Sequence, residues 1–401
     1  MYTKLETLCV HGDIHAQPDA NRSISYPIYQ TASFSHIKPG HNQSGFDYSR
    51  ESNPTRSYLE ETLASLEGAA HALAFSSGMA AISVCFEAFK PGDHILCTDD
   101  LYGGAVRLFK LISEKNGYEI EYTDTRDADN IKQKIRPNTK AIYIETPSNP
   151  MLHVTDIRRT AEIAHENGAL LIVDNTFLSP YFQNPLSLGA DIVVHSGSKF
   201  LAGHNDTICG FLCVADPERA KKYRLLAKTT GATLSPFDSW LVLRGIKTLA
   251  LRIKKQEENA GRLACWLKER EEVSEVVYLG LPEHEGHELN KKQARGFGSM
   301  ISFKVKNEEI ALKLLKNVKL ITFAESLGGV ESLLTYPKVQ THPDVPEEVR
   351  LRLGIDETLL RLSVGIEDAG DLIEDLKQAF NKTDEGYAIK ETKPCHTTST
   401  H

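Results

Sequence analysis

The chain has 401 residues, with 46 Lys and Arg against 54 Asp and Glu, for a net charge of −8. This length implies two or three domains and a core that needs no disulfides or structural metal. A hydrophobic fraction of 41% with 25% charged residues excludes a disordered or collagen-like chain, and the acidic balance excludes a general nucleic-acid binder. No apolar run approaches the ~20 residues of a bilayer-spanning helix. The leading residues also lack an apolar signal core, so the expectation is a cytoplasmic protein away from membranes.

Residues 1–59 read as an irregular arm. They hold Pro18, Pro27, Pro39 and Pro54 with Gly40 and Gly45 and little helical periodicity. So long a leading segment is expected to pack on something, such as another subunit. From residue 60 to about 245, short apolar runs alternate with amphipathic ones. Helices are expected over 57–69, 79–89, 105–116 and 156–167. Strands are expected at 71–77, 94–100, 119–124, 141–147, 170–177, 191–196 and 210–215. Such alternation predicts an α/β domain with a mostly parallel sheet covered on both faces, whose ligand sits beyond the carboxyl ends of the strands.

Residues 239–270 read as one long helix, or two broken near Gly245. Strands at 300–305, 319–324 and 358–368 and a helix at 371–380 then predict a smaller α/β domain over 246–381. The polar stretch 382–401 reads as a disordered tail. Seven cysteines at irregular spacing argue against a disulfide framework. Cys85, Cys97, Cys209 and Cys213 read as small buried hydrophobes. No metal site is expected: Cys209 and Cys213 lack a second pair, and His284 and His287 read as a surface loop rather than zinc ligands.

The chemistry concentrates at strand ends. Asp174 follows four apolar residues, and Lys199 ends the turn His195-Ser196-Gly197-Ser198-Lys199. An acid and a lysine so placed are either a salt bridge or the core of a pyridoxal phosphate (PLP) site. That cofactor needs a lysine amine for covalent attachment and a carboxylate to keep its ring nitrogen protonated. Its phosphate needs hydroxyls, here Ser196 and Ser198, and backbone N–H groups at a helix start, here Ser77-Gly78-Met79. Taken together and in order, these features favour the PLP reading.

Eight segments carry a resemblance. They are Tyr48–Arg56, Phe75–Ala81, Asp100–Gly104, Glu145–Pro150, Val173–Phe177, His195–Lys199, Glu325–Ser332 and Arg361–Glu367. With them the chain resembles the Cys/Met-metabolism, or trans-sulfuration, family of PLP enzymes over about residues 5–380. Gly197 and Ser198 stand where the family usually shows Ala and Thr. The resemblance implies the aspartate-aminotransferase-like fold (fold type I) and, residue by residue, the following roles. Lys199 is the attachment lysine, Asp174 the partner of the ring nitrogen, and Tyr102 the residue that stacks on the ring and assists proton transfer. Gly78, Met79, Thr176, Ser196 and Ser198 contact the cofactor. Tyr48 and Arg50 reach the phosphate of a neighbouring subunit, so a homo-oligomer is implied, a tetramer built as a dimer of dimers. Asn149, Ser326 and Arg361 take the substrate α-carboxylate, Arg361 through its two-pronged donor geometry. Its alternative is an ion pair with Glu367 or Asp368.

Two positions separate the members. Gly104 stands where methionine γ-lyases carry Cys, which argues against methionine as substrate. Glu325 is typical of cystathionine γ-synthases and γ-lyases, and its carboxylate could receive the distal ammonium of cystathionine or cysteine. Arg107 could hold a distal carboxylate, or be a helix-surface arginine. The stretches Phe323–Ser332, Thr335–His342 and Pro236–Trp240 lean toward a bacterial cystathionine γ-synthase or acylhomoserine thiolyase acting on O-acylhomoserine with cysteine or sulfide. Cystathionine γ-lyase and β-lyase are the alternatives. A non-catalytic binding protein on the same fold would be expected to have lost Lys199, Asp174 or Arg361, and all three are present.

Overall fold

The computed structural model describes residues 4–12, 19–39, 42 and 44–382. The strands in chain order are β1 (His71–Phe75), β2 (His94–Thr98), β3 (Glu119–Thr123), β4 (Thr139–Glu145), β5 (Leu170–Asp174), β6 (Ile192–Ser196), β7 (Gly210–Val214), β8 (Val273–Val277), β9 (Met300–Val305), β10 (Thr322–Phe323), β11 (Leu333–Thr335) and β12 (Leu359–Ser363). The first helices are α1 (Leu5–His11), α2 (Pro54–Glu67), α3 (Gly78–Phe86), α4 (Gly103–Asn116), α5 (Ala128–Lys134), α6 (Ile157–Glu166), α7 (Ser179–Phe182) and α8 (Pro217–Thr230). They are followed by α9 (Pro236–Ile246), α10 (Leu249–Lys268), α11 (His287–Gln293), α12 (Glu308–Asn317), α13 (Pro337–Gln340), α14 (Glu347–Arg352) and α15 (Ala369–Asn381).

The larger sheet has the order β1-β7-β6-β5-β4-β2-β3. From β3 to β6 its strands are parallel, and β7 runs antiparallel to both β6 and β1. Helices cover both faces, so alternate residues of one strand enter two different cores: Ile142 and Ile144 pack on one side of β4, Ala141 and Tyr143 on the other. The second sheet, β10-β11-β12-β9-β8, belongs to a smaller domain and is antiparallel except for β10 beside β11. The helices obey local rules. Asn53 caps α2 by accepting from the Thr55 N–H, Pro54 occupies the first turn, and Gly68 closes the helix at φ 69°.

Several expectations need correction. The leading arm is not wholly irregular, because α1 lies within it, with Cys9 buried in the core. Its seven residues were too few to show a period. The expected strand 319–324 shrinks to the two residues of β10, because three backbone N–H groups, at Lys319, Leu320 and Ile321, donate to the Asp375 carboxylate instead of a ladder. β8 and β11 went unanticipated, since β8 is largely exposed and lacks a buried apolar run, and β11 is only three residues long. The break near Gly245 is real: the chain forms α9 and α10. His287 is not on a surface loop. It is buried at the start of α11, donates from Nδ1 to the Leu279 carbonyl, and stacks on Phe297 at 4.9 Å between centroids. Cys85, Cys97, Cys209 and Cys213 are buried as expected. Among the described residues no helix is long and apolar enough to cross a membrane, and no group of three or more His, Cys, Asp or Glu is placed to hold a metal ion. The tail expected to be disordered lies, from 383 on, outside the described residues.

The smaller domain depends on one aromatic. Phe303 of β9 has no exposed surface and sits in the core with Leu263, Leu314 and Leu376. Phe303→Ala is expected to destabilise the protein by about 3–5 kcal/mol through lost burial and the cavity left behind. The measurement is urea unfolding, and a loss below ~1 kcal/mol would mean that this core closes over the gap.

Candidate active site

The carboxyl ends of β1, β2, β4, β5 and β6 open into a cavity of about 550 Å³, closed from the other side by the segment that carries Glu325 and Ser326. Of the residues singled out in the sequence, Gly78, Met79, Tyr102, Asn149, Asp174, Thr176, Ser196, Ser198, Lys199, Glu325, Ser326 and Arg361 all line it. Tyr48, Arg50 and Arg107 do not. Arg50 lies over the Tyr48 ring, 5.4 Å from its centroid, and donates to the Lys228 carbonyl at 2.5 Å. Arg107 is exposed and paired with Asp344 at 2.5 Å.

At one end of the cavity, α3 begins. Ser77 caps it by accepting from the Ala80 N–H. The N–H groups of Gly78 and Met79, in the first turn, have no acceptor within the helix. A Cβ at Gly78 would come within 3.0 Å of the Ser196 Cβ, and one at Gly210 within 2.2 Å of the Ser77 carbonyl. Glycine at both places is what brings the helix start, β6 and β7 together. Ser198 faces the same space. Its hydroxyl accepts from the Cys209 N–H at 2.9 Å and donates to the Cys209 carbonyl at 3.2 Å, a long bond that a stronger acceptor can displace.

Asp174 ends β5 at the far side. Its Oδ1 accepts from the Thr176 N–H at 3.0 Å and from the Thr176 hydroxyl at 2.6 Å, and its Oδ2 from the Tyr143 hydroxyl at 3.3 Å. The Thr176 Oγ1 in turn accepts from the Ser196 N–H at 2.8 Å. Glu145 lies one strand over, in register with Asp174, and accepts from the Tyr102 N–H at 3.1 Å. Burial pushes the Asp174 carboxyl up, against the Thr176 hydrogen bonds, the nearby His195 and the Tyr143 hydroxyl. Burial pushes Glu145 well above the carboxylate range, with the Asp174 charge adding to it. Two acids so placed favour a cation in the space before them.

Lys199 donates to the Ser326 hydroxyl at 2.9 Å. Burial, together with the Arg361 charge and against Glu325, lowers its amine to about 8, and the two arms of the salt-bridge alternative, Asp174 and Lys199, find other partners. Ser326 holds a left-handed φ of 89°, a strained geometry that clusters at functional sites. Arg361 is fully enclosed. It donates to the Asn149 side-chain oxygen at 2.8 Å, the Ser326 carbonyl at 3.0 Å and the Thr335 hydroxyl at 3.1 Å, and its Nε has no partner. Burial lowers it to about 10, against Tyr102, Glu145 and Glu325. The alternative ion pair with Glu367 or Asp368 does not form: Glu367 accepts from Ser332, and Asp368 caps α15. Gly104 matters to Tyr102 directly, since a Cβ there would lie 2.4 Å from the Tyr102 ring.

The sequence reading missed three participants. Glu145 was visible only as a polar strand end, and Tyr143 was hidden in an apolar strand. His342 is enclosed beside the Asn149 carbonyl, 3.1 Å away, and burial lowers it to about 4. No local signal marks it, because the segment reaches the site only through the fold.

A ligand with a phosphate at one end and a protonated ring nitrogen at the other fits this cavity: free N–H groups and hydroxyls on one side, buried acids on the other, a lysine amine between. Known proteins agree. Cystathionine gamma-lyase of Bacillus subtilis (strain 168) is 48% identical over 377 residues, covering 94% of this chain and 99% of that one. Cystathionine gamma-synthase/O-acetylhomoserine (thiol)-lyase of the same organism is 48% identical over 364 residues, covering 91% and 93%. The crystal structure of cystathionine gamma synthase from Xanthomonas oryzae pv. oryzae in complex with cystathionine superposes with a TM-score of 0.92 at 39% identity, covering 95% and 98%. The model of the Cys/Met metabolism PLP-dependent enzymes matches residues 6–381. The chain therefore belongs to that family, with fold type I architecture and pyridoxal phosphate as its cofactor.

Proposed function

We propose that the protein is a cystathionine γ-synthase, replacing the acyloxy group of an O-acylhomoserine, which leaves as a carboxylate, with the sulfur of cysteine or sulfide. The cofactor, when bound, supplies an electron sink for the carbanion at the substrate Cα. In this reading Lys199 is its attachment residue and Asp174 the partner of its ring nitrogen. Gly78, Met79, Ser196 and Ser198 hold its phosphate, and Tyr102 covers its ring. Arg361 and Asn149 hold the substrate α-carboxylate, for which the unpartnered Arg361 Nε–H is a waiting donor. Once free, the Lys199 amine removes the Cα proton. Chemistry at Cγ also needs a Cβ proton moved, and a flexible lysine with an amine near neutrality suits both transfers. Ser326, bonded to the amine, sets its direction.

The observation that carries γ-chemistry is Glu325, which lines the cavity beside Lys199 and Ser326, where its carboxylate can take an incoming or distal ammonium. Arg107, by contrast, faces Asp344 outside the cavity. That supports a small uncharged acyl group over a dicarboxylic one. Glu325 equally supports a second reading, cystathionine γ-lyase, in which its carboxylate receives the distal ammonium of cystathionine and C–S cleavage follows. We further propose three units, an arm over 1–59, a cofactor domain over 60–245 and a smaller domain over 246–381, in a cytoplasmic homotetramer. Tyr48 and Arg50, exposed and outside their own cavity, would then complete a neighbour's phosphate site.

Three outcomes are expected. Given O-acetylhomoserine with cysteine, cystathionine alone and homocysteine alone, the protein should form cystathionine fastest. Cysteine and 2-oxobutyrate from cystathionine as the dominant products would establish the lyase reading instead. The cofactor-free protein should take up PLP, followed by its visible absorbance, at a rate that rises with pH and levels above about 8, where the Lys199 amine is uncharged. A rise continuing toward 10.5, the ordinary lysine value, would mean that the attacking amine is another one. Finally, inactive Lys199→Ala and Arg50→Ala subunits, mixed and exchanged, should regain part of the activity, because a mixed pair holds one site with neither defect. No recovery after exchange is confirmed by mass would place Arg50 in its own subunit's function or in none.

A further inference from the structure

Behind the cavity lies a second acid–base pair that the reaction does not touch. His195 of β6 and Glu67, the last residue of α2, are both about 1% exposed, and the His195 Nε2 stands 2.5 Å from the Glu67 Oε1. The same carboxylate accepts from the Asn175 amide at 3.1 Å and from the Asn184 amide at 3.4 Å. Asn175 follows Asp174 directly, and His195 directly precedes Ser196. One buried carboxylate thus reaches the residue after the ring-nitrogen partner and the residue before the phosphate cradle.

We infer that the buried, hydrogen-bonded Glu67–His195 pair positions Asp174 and helps to keep it ionised. The inference rests on the assignment of Asp174 to the ring nitrogen. Glu67 is enclosed, and besides His195 it takes the Asn175 and Asn184 amides, so one buried group ties the end of α2 to both strand ends. Asp174 faces Tyr143 and Glu145 from β4 and Thr176 from its own turn, while His195, on the other face of β6, is near enough for its charge to act on the carboxyl. His195 is the one group of these that can bring positive charge. Glu67 faces, besides His195, Arg295 and the Cys213 thiol, and Arg295 is itself spent on the Pro180 and Tyr181 carbonyls and Asn184. Both residues act through Asp174 and touch no reacting atom, so they are positioning residues.

The test uses the loaded enzyme. Glu67→Gln keeps the amide contacts and removes the charge. It should lower kcat by about tenfold, the equivalent of one pKa unit at Asp174, with KM little changed. The pH profile of its visible absorbance should move in the direction in which Asp174→Asn moves it. His195→Gln should do the same, so that a folding failure of one variant leaves the other to decide, with cooperative thermal melting as the check. Wild-type kcat and an unmoved profile in a folded variant overturn the inference. Near-wild-type turnover in Asp174→Asn overturns it on different ground, since the assignment of Asp174 then fails whatever the Glu67 and His195 variants do.

Discussion

A carboxylate enclosed at the end of a strand is costly unless hydrogen bonds and opposite charge surround it, and Asp174 receives both. Thr176 and Tyr143 satisfy its oxygens, His195 lies behind it, and the space in front is the cavity. Much of the surrounding sheet can be understood as what it takes to hold that group still. Thr176 fastens the Asp174 turn to the backbone of Ser196, so the acid and the phosphate cradle move as one body, and the Gly78 and Gly210 approaches lock α3 against the same strands.

The same enclosure explains why the site's other groups depart from their solution behaviour. Lys199, Arg361 and His342 are all less readily charged than in water, and Glu145 more readily protonated, each chiefly because burial disfavours its charged form. For Lys199 this yields an amine that loses its proton at about 8, where it can act as a nucleophile or a base. For Arg361 it leaves a guanidinium whose two terminal nitrogens are already braced by Asn149, Ser326 and Thr335. Ordering a carboxylate against a guanidinium held that way costs little further side-chain entropy.

The division of labour between the two sheets follows. The parallel sheet presents groups at strand ends, which is where a nearly rigid cofactor needs them. The smaller domain brings Glu325, Ser326 and Arg361 to the cavity from the opposite side. The Lys199–Ser326 bond is a direct polar link between the two sets. Chemistry at Cβ or at Cγ, and replacement or elimination, share these residues. That is why relatives with different activities resemble this chain about equally.

From the sequence alone, the parallel sheet, its strand ends and the residues of the cofactor cavity could be read, because each strand is a short run of buried apolar residues ending in a polar one. The motifs around Asp174 and Lys199 are local for the same reason: each lies within one strand and its turn. What only the tertiary structure decided is long-range. Arg107 carried the right charge and position for a distal carboxylate, yet it meets Asp344, 237 residues away in sequence. Tyr143 sits in an apolar strand, and nothing around it announces that its hydroxyl ends on Asp174. Glu67 and His195 are 128 residues apart, one at the end of a helix and the other inside a motif, and their contact exists only once α2 is laid against the sheet. Periodicity records which face of an element is buried. It does not record which polar group is buried opposite, because that depends on how separate elements pack.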